Sequence, residues 1–504
     1  MNRKSLLALN TISSLTLQLV SIISGFIVPR LILQSYGSEV NGLINSVTQF
    51  LTIISFLELG VGAVIQSSLY KPLAEKDNEE ISKIVVSGQK FFSKLAFILL
   101  IYVLSLIAIY PFVAKSNFGF LYTATMIMVI SISSFAQYYF GIVKSLLITA
   151  DQRGYYTYNI QTITLILNTI ACFVLIRLGA SIHAVKLSAS LIYLIRPILI
   201  SLYVKKNYTI DWEIKYSGEP IKQKWNGVAQ HVAAVVLNGT DSIVLTLFTG
   251  LNLVSVYSVY DMITHGIRIL INYSTNGIQS LIGNLLAKNE INKLKIIFKW
   301  VEWGTHTLTS YIFGVTAVLI IPFVEVYTLG INDASYIQYT FAILMILANA
   351  GCCYRLPYIS IILAGGHYRQ TQNNFIVAAI LNISLSIILV YRFGLIGVAF
   401  GTLVAMFYQT IWMATYISKN MIHWPFRIFI KQMLVDFITL LSFLLIGKLL
   451  SIHATSWAAW IKYGFLISIV GLLLVIFINT LFYKSNILVL LNSLKNRVFV
   501  ILKK

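Results

Sequence analysis

Two hydrophobic stretches of this sequence, residues 34–76 and 247–289, carry polar side chains at helical spacing, and such side chains could bind a solute inside a membrane. The stretches begin 213 positions apart (247 minus 34). The first stripe consists of Asn45, Thr48, Thr52 and Ser55, and the second, at the same offset, of Ser258, Asp261, His265 and Arg268. Steps of three and four place each stripe on one helix face. Because an ionised group at the bilayer centre costs at least ~2.5–3.5 kcal/mol, we expect both stripes to line a wet cavity between two related halves.

Arginine is the next residue type that could do chemistry, because ionisable residues within the apolar segments are few and are functional candidates by default. A guanidinium group stays charged and presents a fixed fork of donors that fits phosphate. The residues predicted to bind substrate are Arg30, Arg196, Arg268, Arg355 and the titratable His265. The alternatives are that each arginine pairs with a carboxylate or with helix-end carbonyls, or reaches an interface, and that His265 only hydrogen-bonds to Asp261.

Oxygen-bearing side chains near single acidic residues indicate where a cation or a proton could bind. Asp241 follows Asn238, Gly239 and Thr240 in one apolar segment, and Glu58 lies in another. Oxygen ligands of low charge suit hard cations, and an intramembrane carboxylate can equally carry a proton. The structural alternatives are a helix weakened by Gly239 with local side-chain bonds, and a bracing role for Glu58.

Long apolar segments must position these residues, and they make the chain a polytopic membrane protein. Of its 504 residues, 58% are hydrophobic and only 11% are charged, and the mean hydropathy is +0.82, which is outside the range of soluble globular proteins. A helix of ~20 apolar residues crosses a ~30 Å hydrocarbon core. The predicted spans, about fourteen in all, are 7–33, 41–68, 95–114, 120–146, 157–177, 183–204, 226–248, 252–286, 301–327, 337–363, 373–392, 394–418, 432–450 and 460–483. The expected fold class is an all-α membrane protein with two pseudo-symmetric six-helix bundles and a C-terminal helix pair.

The basic residues predict how the chain is oriented. The net charge is +20, and most of the 37 lysines and arginines fall in the tails or in loops after even-numbered spans. Cytoplasmic loops carry such an excess, so both termini are expected in the cytoplasm. These charges are spread over many short loops rather than one basic face, and nucleic-acid binding is therefore not expected.

A second pair of matching segments extends the repeat over most of the chain. Residues 167–179 match residues 381–394 at an offset of 214 (381 minus 167) to 215 (394 minus 179). Six spans per half make both halves enter the membrane in the same sense, so an axis along the membrane normal should relate them. The predicted organisation is an N-terminal lobe over 1–205, a cytoplasmic linker over 206–224, a C-terminal lobe over 225–418, and helices 13 and 14 with a cytoplasmic tail over 419–504.

Three short segments resemble a known family. They are Phe26-Ile27-Val28-Pro29-Arg30-Leu31-Ile32-Leu33, Tyr36-Gly37-Ser38-Glu39-Val40-Asn41-Gly42-Leu43 and Leu57-Glu58-Leu59-Gly60-Val61-Gly62. They resemble the proline-arginine motif and the glycine-rich start of helix 2 in the multidrug, oligosaccharidyl-lipid and polysaccharide (MOP) flippase superfamily. The likeness is to its Wzx-type members, which export repeat units of O-antigen or capsule, and the layout of six plus six helices covers most of the chain.

The resemblance implies a flippase rather than an enzyme. Such a protein would move an undecaprenyl-pyrophosphate-linked oligosaccharide across the bacterial cytoplasmic membrane by alternating access, for surface polysaccharide assembly. Cationic cavity residues of such flippases are associated with the anionic headgroup, and Arg30 and Arg268 occupy corresponding helices. The partners implied are this lipid-linked glycan, membrane lipids and polysaccharide polymerase machinery. No cofactor is implied beyond a coupling ion, which would be sodium or a proton.

Fourteen helices also make the chain similar to the peptidoglycan-precursor flippase of the same superfamily, where the extra pair forms a lateral groove for the lipid tail. In that relative a sodium site joins helices 7, 11 and 12. The matching positions are Asp241, Asn382, Ser386, Val398 through its carbonyl, and Thr402, with sodium expected at Asp241, Asn382 and Thr402. Ser386 stands where an acidic ligand is expected, which lowers the charge of the site.

Two other functions are compatible with parts of this pattern. A cation-coupled multidrug exporter would share the fold, but it should favour acidic and aromatic groups for cationic drugs rather than arginines. A membrane enzyme of polysaccharide assembly, such as a polymerase, normally needs a sizeable water-exposed site, and the loops predicted here are short.

Overall fold

The structure is a computed structural model that describes residues 3–114, 117–216, 228–450 and 453–490. Every regular element in these ranges is a helix. The main ones are α1 (Arg3–Thr52), α2 (Phe56–Glu75), α3 (Asn78–Val113), α4 (Phe120–Ala136), α5 (Ile142–Ala150), α6 (Gly154–Arg177), α7 (Ile182–Asn207), α8 (Val228–Phe248), α9 (Leu251–Ala287), α10 (Ile291–Tyr327), α11 (Tyr339–Tyr354), α12 (Leu356–Ala364), α13 (Tyr368–Phe393), α14 (Leu395–Asn420), α15 (Phe426–Leu450) and α16 (Trp457–Phe482).

These helices correspond to the predicted spans, so the all-α membrane fold class is confirmed. Eleven helical segments among the described residues are long and apolar enough to cross a membrane. Three predicted spans are not among these eleven segments. The first consists of the end of α1 together with α2, the second is α8 and the third is α9. The polar stripe of α9 explains why that helix is less apolar than its neighbours. A π-helix over Gln137–Gly141 joins α4 to α5, and α11 and α12 together form one crossing segment.

Local chemistry sets where the helices begin and end. Asp77 precedes α3 and its side chain accepts a hydrogen bond from the backbone N–H of Glu80 at 3.0 Å, as an N-cap residue does. Gly37 interrupts α1 with φ 84° and ψ 175°, a conformation that glycine adopts without strain. This kink separates the first predicted span from the second.

The backbone shows the internal repeat at its turns. Residues with left-handed φ occur at matching places in the two halves, 213 to 215 positions apart. The pairs are Gly37 with Gly250, Lys76 with Asn289, Gln152 with Gly366, and Gly179 with Gly394. Two halves with such matched turns have the same succession of helices and loops, which is what a duplicated scaffold requires.

The chain divides into two compact units. The first unit contains Met1–Ser258, Gly330–Ala334 and Val390–Gly394, and the second contains Val259–Leu329, Ser335–Leu389 and Leu395–Lys504. In the first unit, the longest packing interface joins α1 to α6. In the second, α10 packs against α11, α15 and α16, so this helix organises the core to which the C-terminal pair is attached.

Close packing around Phe443 attaches the C-terminal helix pair to α10, and it gives a first testable prediction. A Cβ atom on Gly314 would overlap the Phe443 ring, and a Cβ on Gly471 would lie 2.5 Å from it. Since overpacking a filled core costs ~1–3 kcal/mol, we expect Gly314→Leu to lower the thermal denaturation midpoint of the purified protein. Gly304→Leu on the same helix is the control, because nothing lies within 4 Å of a Cβ there. Equal midpoints for the two variants would contradict this description of the core.

Candidate functional site

A break in one crossing segment places an arginine inside the second unit. Helix α11 ends at Tyr354 and α12 begins at Leu356, with Arg355 between them. Pro357 lacks a backbone N–H and cannot continue the α-helical bonding of the preceding turn. The backbone N–H of Arg355 bonds to the carbonyl of Cys353 rather than to that of Gly351, and the Gly351 carbonyl accepts a hydrogen bond of 2.9 Å from the Thr410 hydroxyl of α14. The equivalent segment of the first half is interrupted by the π-helix over Gln137–Gly141, so the interruption is part of the repeat.

Arg355 and Arg268 form what we call the arginine pair. The Arg355 guanidinium donates to Cys352 Sγ at 3.3 Å and to Met406 Sδ at 3.8 Å. The side chain of Arg268, from α9, also hydrogen-bonds to Cys352. Two guanidinium groups therefore converge on one buried thiol, and both are half-buried themselves. The structure thus brings together two of the four arginines that the sequence singled out.

The arginine pair can attract an anion. Sulfur is a weak hydrogen-bond acceptor, and the buried Arg355 Nε has no partner at all. Among the described residues, no carboxylate forms an ion pair with Arg355. Its charge is therefore not neutralised by a carboxylate, and its terminal nitrogens are bonded only to weak sulfur acceptors. A phosphate or pyrophosphate group offers the oxygen acceptors that a guanidinium fork matches.

The remaining two arginines belong to the first unit. Arg196 donates from Nε to Thr164 Oγ1 at 2.7 Å, and its guanidinium carbon lies 4.2 Å from the centre of the Tyr193 ring. Arg196 is therefore held by Thr164 of α6 and by Tyr193 of its own helix. Arg30 is half-buried in α1, directly after Pro29.

The polar stripes have different environments along their length. In the first unit, Asn45 Nδ2 donates to Ser258 Oγ at 3.3 Å, and Asn41 Nδ2 donates to Ser255 Oγ at 2.8 Å, so the two stripes meet at one end. The hydroxyls of the two threonines, Thr48 and Thr52, return hydrogen bonds to carbonyls of their own helix, and both residues are exposed. The side chain of Ser55 lies outside the described residues.

Asp261 and His265 of the second unit are both accessible. His265 Nδ1 lies 3.8 Å from Asp261 Oδ2, and their side chains are 45% and 31% exposed, respectively. That distance is longer than a hydrogen bond, so the direct hydrogen bond considered as an alternative is absent. That this face of α9 lines a wet cavity stays a prediction, which rests on the cost of placing a charged group in lipid.

Most of the expected ion-binding residues come together on α13 and α14. Asn382 Nδ2 donates to Thr402 Oγ1 at 2.8 Å, and the Ser386 hydroxyl lies 3.4 Å from the Val398 carbonyl oxygen. The first unit holds Asp241, which is 3% exposed and accepts a hydrogen bond of 3.2 Å from the Tyr257 hydroxyl. None of the four residues on α13 and α14 has an ionisable side chain. The side chains of Glu58 and Asn238 lie outside the described residues.

Sequence reasoning missed a buried network in the second unit. It contains Glu302 and His306 of α10, Tyr358 of α12 and Asp436 of α15, and none of the four is more than 2% exposed. The signal was present, because Glu302 and Asp436 lie inside the predicted spans 301–327 and 432–450. Both lie close to the ends of those spans, where a charged side chain can also reach water.

An apolar cavity of about 510 Å³ lies between α10, α11 and α15 of the second unit. Its walls include Ile321, Ile343 and Leu445, and Lys448 and His453 add polar groups. The size and lining suit a hydrocarbon chain. Among the described residues, no group of three histidine, cysteine or acidic side chains is arranged to hold a metal ion.

No protein-family profile and no curated protein matches the sequence. Solved structures do match. One described as lipid II flippase MurJ in an inward closed conformation aligns over 95% of this chain and 100% of its own, with a TM-score of 0.68 and 15% identity. An inward-facing multidrug resistance MATE family transporter of the MOP superfamily aligns over 80% of this chain and 94% of its own, with a TM-score of 0.53 and 16% identity. A MOP superfamily transporter from Pyrococcus furiosus aligns over 81% and 95%, with a TM-score of 0.54 and 13% identity. The chain therefore has the fold of MOP superfamily transporters, as predicted.

Proposed function

We propose that this multi-pass membrane protein is a flippase for a polyprenyl-pyrophosphate-linked oligosaccharide, with undecaprenol as the lipid. It would act in the bacterial cytoplasmic membrane with both termini in the cytoplasm, and supply repeat units for surface polysaccharide assembly. The sugar and pyrophosphate would enter a polar cavity while the polyprenyl tail stays in lipid. Polysaccharide polymerase machinery would receive the product on the far side. No covalent chemistry is needed for such a cycle.

The observation that carries this proposal is the arginine pair. A transporter for cationic drugs would be hindered by two guanidinium groups in its binding region, because like charges repel. A pyrophosphate offers oxygen acceptors that match guanidinium donors, and Arg268 and Arg355 bring two such groups together beside Cys352. One structure of the same fold is described as a lipid II flippase, a name that states a lipid substrate.

The apolar cavity between α10, α11 and α15 supports a substrate with a hydrocarbon tail. Its lining is mainly aliphatic, so a polyprenyl segment placed there would exchange lipid contacts for protein contacts at little cost. Lys448 lies at the C-terminal end of α15. A cation in that position could contact a lipid phosphate.

A coupling ion would drive the cycle by binding two conformations unequally. We propose that Asn382, Thr402, Ser386 and the Val398 carbonyl of the second unit contribute oxygen ligands for sodium, and that Asp241 of the first unit is a separate candidate for binding the coupling ion. The low charge of these residues also allows a proton on Asp241 to replace the metal ion. Replacing sodium by choline in a transport assay at fixed pH distinguishes the two: a sodium-coupled cycle stops and a proton-coupled one continues.

Transport by the purified protein in liposomes tests the function. The substrate is a fluorescent oligosaccharide linked to undecaprenyl pyrophosphate, and a membrane-impermeant quencher reports its leaflet. Matched substrates carry a monophosphate bridge, or the pyrophosphate without the glycan. We expect the pyrophosphate-linked glycan to flip fastest, because the second phosphate adds acceptors for the arginine pair. Equal flipping rates for the pyrophosphate-linked and the monophosphate-linked glycan would contradict the proposal. The absence of any flipping would also contradict it.

A multidrug exporter is the second candidate, because MATE transporters share this fold with TM-scores between 0.52 and 0.59. The same liposomes loaded with a cationic dye provide the comparison. Two results together would favour the exporter over the flippase: Arg268→Ala increases the export of the dye, and the protein does not flip the lipid.

A further inference from the structure

We infer that Glu302, His306 and Asp436, joined through the Tyr358 hydroxyl, form a proton-binding site that takes up one proton and moves it along the network. We call these four residues the proton network. Proton binding is a property of the second unit and does not depend on the proposed substrate. Only the further step, that this proton drives transport, rests on the proposed function.

The hydrogen bonds form an unbroken line across three helices. Tyr358 Oη lies 2.8 Å from Glu302 Oε1 and 3.2 Å from His306 Nε2. His306 Nδ1 lies 2.6 Å from Asp436 Oδ2. Each distance allows one shared hydrogen. A proton can therefore pass from one carboxylate towards the other without crossing an apolar gap.

The hydrogens in this line can be placed in more than one way at equal protonation, and two of the arrangements show how a proton moves along it. In the first, Tyr358 donates to an ionised Glu302, and a doubly protonated His306 donates to both Tyr358 and an ionised Asp436. In the second, a protonated Glu302 donates to the Tyr358 oxygen, Tyr358 donates its own hydrogen to His306 Nε2, and His306 is neutral. The two interconvert when the Glu302 hydrogen moves to Tyr358 and the Tyr358 hydrogen moves to His306. No bond other than these O–H and N–H bonds changes.

Both arrangements carry a net charge of −1, and that charge is buried. Within the described residues, neither carboxylate of the network has a lysine or an arginine as a partner. An unbalanced charge in an apolar interior is expensive, so one more proton, which brings the network to neutrality, is favoured. This is the physical reason for assigning a proton rather than a larger cation as the ligand.

The groups that face the network from each neighbouring helix are neutral donors. Trp424, before α15, donates to Glu302 Oε2 at 2.9 Å. Ser310 of α10 and Gln432 of α15 donate to Asp436 Oδ1 at 2.8 and 3.3 Å. From α11, the Tyr354 hydroxyl lies 2.8 Å from Ser310 Oγ, and its ring stacks on His306. These contacts hold the carboxylates in place without neutralising them.

The end of α16 offers a route to water. Tyr483, directly after α16, is close enough to both carboxylates to interact with them electrostatically, and its buried hydroxyl has no hydrogen-bond partner. The ammonium group of Lys431 lies 4.6 Å from the centre of the Tyr483 ring and bonds to the Phe482 carbonyl. Lys431 is exposed, so a surface charge lies beside the Tyr483 ring.

Infrared spectroscopy of the purified full-length protein tests proton binding directly. We expect a protonated-carboxyl absorption that appears as the pH is lowered and shifts in deuterium oxide. Glu302→Gln and Asp436→Asn should each remove or displace it, because the amides cannot bind the proton. Glu325→Gln is the matched control, since Glu325 lies on the same helix and also faces a histidine, His453, at 3.0 Å, but at an exposed site. That variant should retain the absorption.

Two further measurements keep the test decisive. If the amide variants do not fold, wild-type protein with carbon-13 in its aspartate and glutamate carboxyls identifies the titrating groups without any substitution. Tyr358→Phe keeps all three titratable groups but breaks the line, and should change the pH at which the absorption appears. Two results would overturn the inference. One is the absence of a titrating carboxyl absorption in the wild type. The other is an absorption that stays unchanged in Glu302→Gln, Asp436→Asn and Tyr358→Phe alike.

Transport then tests coupling separately. With the lipid-linked substrate in liposomes, we expect a pH gradient to accelerate flipping by the wild type and by Glu325→Gln, and to have no effect on Glu302→Gln. Flipping that ignores the pH gradient in the wild type would end the coupling role while the infrared result stands. Failure to flip any lipid would count against the proposed function and not against the proton network.

Discussion

Arg355→Ala is expected to slow transport of the pyrophosphate-linked substrate about 10- to 100-fold at low substrate concentration, because a hydrogen bond to a charged group is worth ~1.5–3 kcal/mol. Arg268→Ala should have an effect of similar size. Arg355→Lys should lie between alanine and wild type, since lysine keeps the charge but loses the fork of donors. Initial rates at several substrate concentrations measure the effect. In cells, surface polysaccharide should be lost while the protein remains in the membrane.

The control for this prediction is Arg369→Ala. Arg369 is an exposed arginine near the start of α13, so its removal lowers the net charge by the same amount away from the arginine pair. We expect its rates to equal those of the wild type. If both Arg268→Ala and Arg355→Ala leave the dependence on substrate concentration unchanged, the arginine pair does not bind the headgroup.

Gly42→Ala is expected to destabilise the first unit by at least ~1–3 kcal/mol, although it adds a single methyl group. A Cβ atom on Gly42 would overlap the carbonyl oxygen of Leu251 and lie 2.6 Å from its carbonyl carbon. These are backbone atoms, which cannot rotate away as the end of a flexible side chain can. Relief therefore requires α1 to move away from the start of α9. The thermal denaturation midpoint and the flipping rate measure the result.

Gly25→Ala is the matched control for Gly42→Ala. It is the same substitution in the same helix, and nothing lies within 4 Å of a Cβ at Gly25. There, alanine should stabilise the helix slightly, because glycine is the less favourable residue in a helix interior. In the Gly42→Ala protein, the separation of α1 from α9 should also break the neighbouring hydrogen bond from Asn41 to Ser255. A Gly42→Ala protein as stable as the Gly25→Ala protein would show that α1 and α9 are not in backbone contact.

The apolar composition and the helical spacing of the sequence were sufficient to predict the membrane fold class and the repeat. Both depend on features local in sequence: a run of ~20 apolar residues is long enough to span the bilayer whatever surrounds it. The turns agree with the repeat seen in the sequence. Lys76 and Asn289 occupy matching positions of the two halves, and their φ angles are 57° and 56°. Intramembrane arginines could likewise be recognised as candidates from charge and position alone.

Which candidates act together depended on packing between helices that are distant in sequence. Arg268 and Arg355 share Cys352 because α9 and the break after α11 meet in the second unit, whereas Arg196 is bonded to Thr164 of α6. His306 and Asp436 are 130 positions apart, and only the packing of α15 against α10 brings their side chains to 2.6 Å. Helical periodicity gives the face that a residue occupies, but not the helix that faces it. The sequence by itself therefore determined a duplicated, membrane-spanning helical scaffold and its charged residues, and the tertiary structure alone decided which of those charges meet, because such contacts depend on the packing of whole helices.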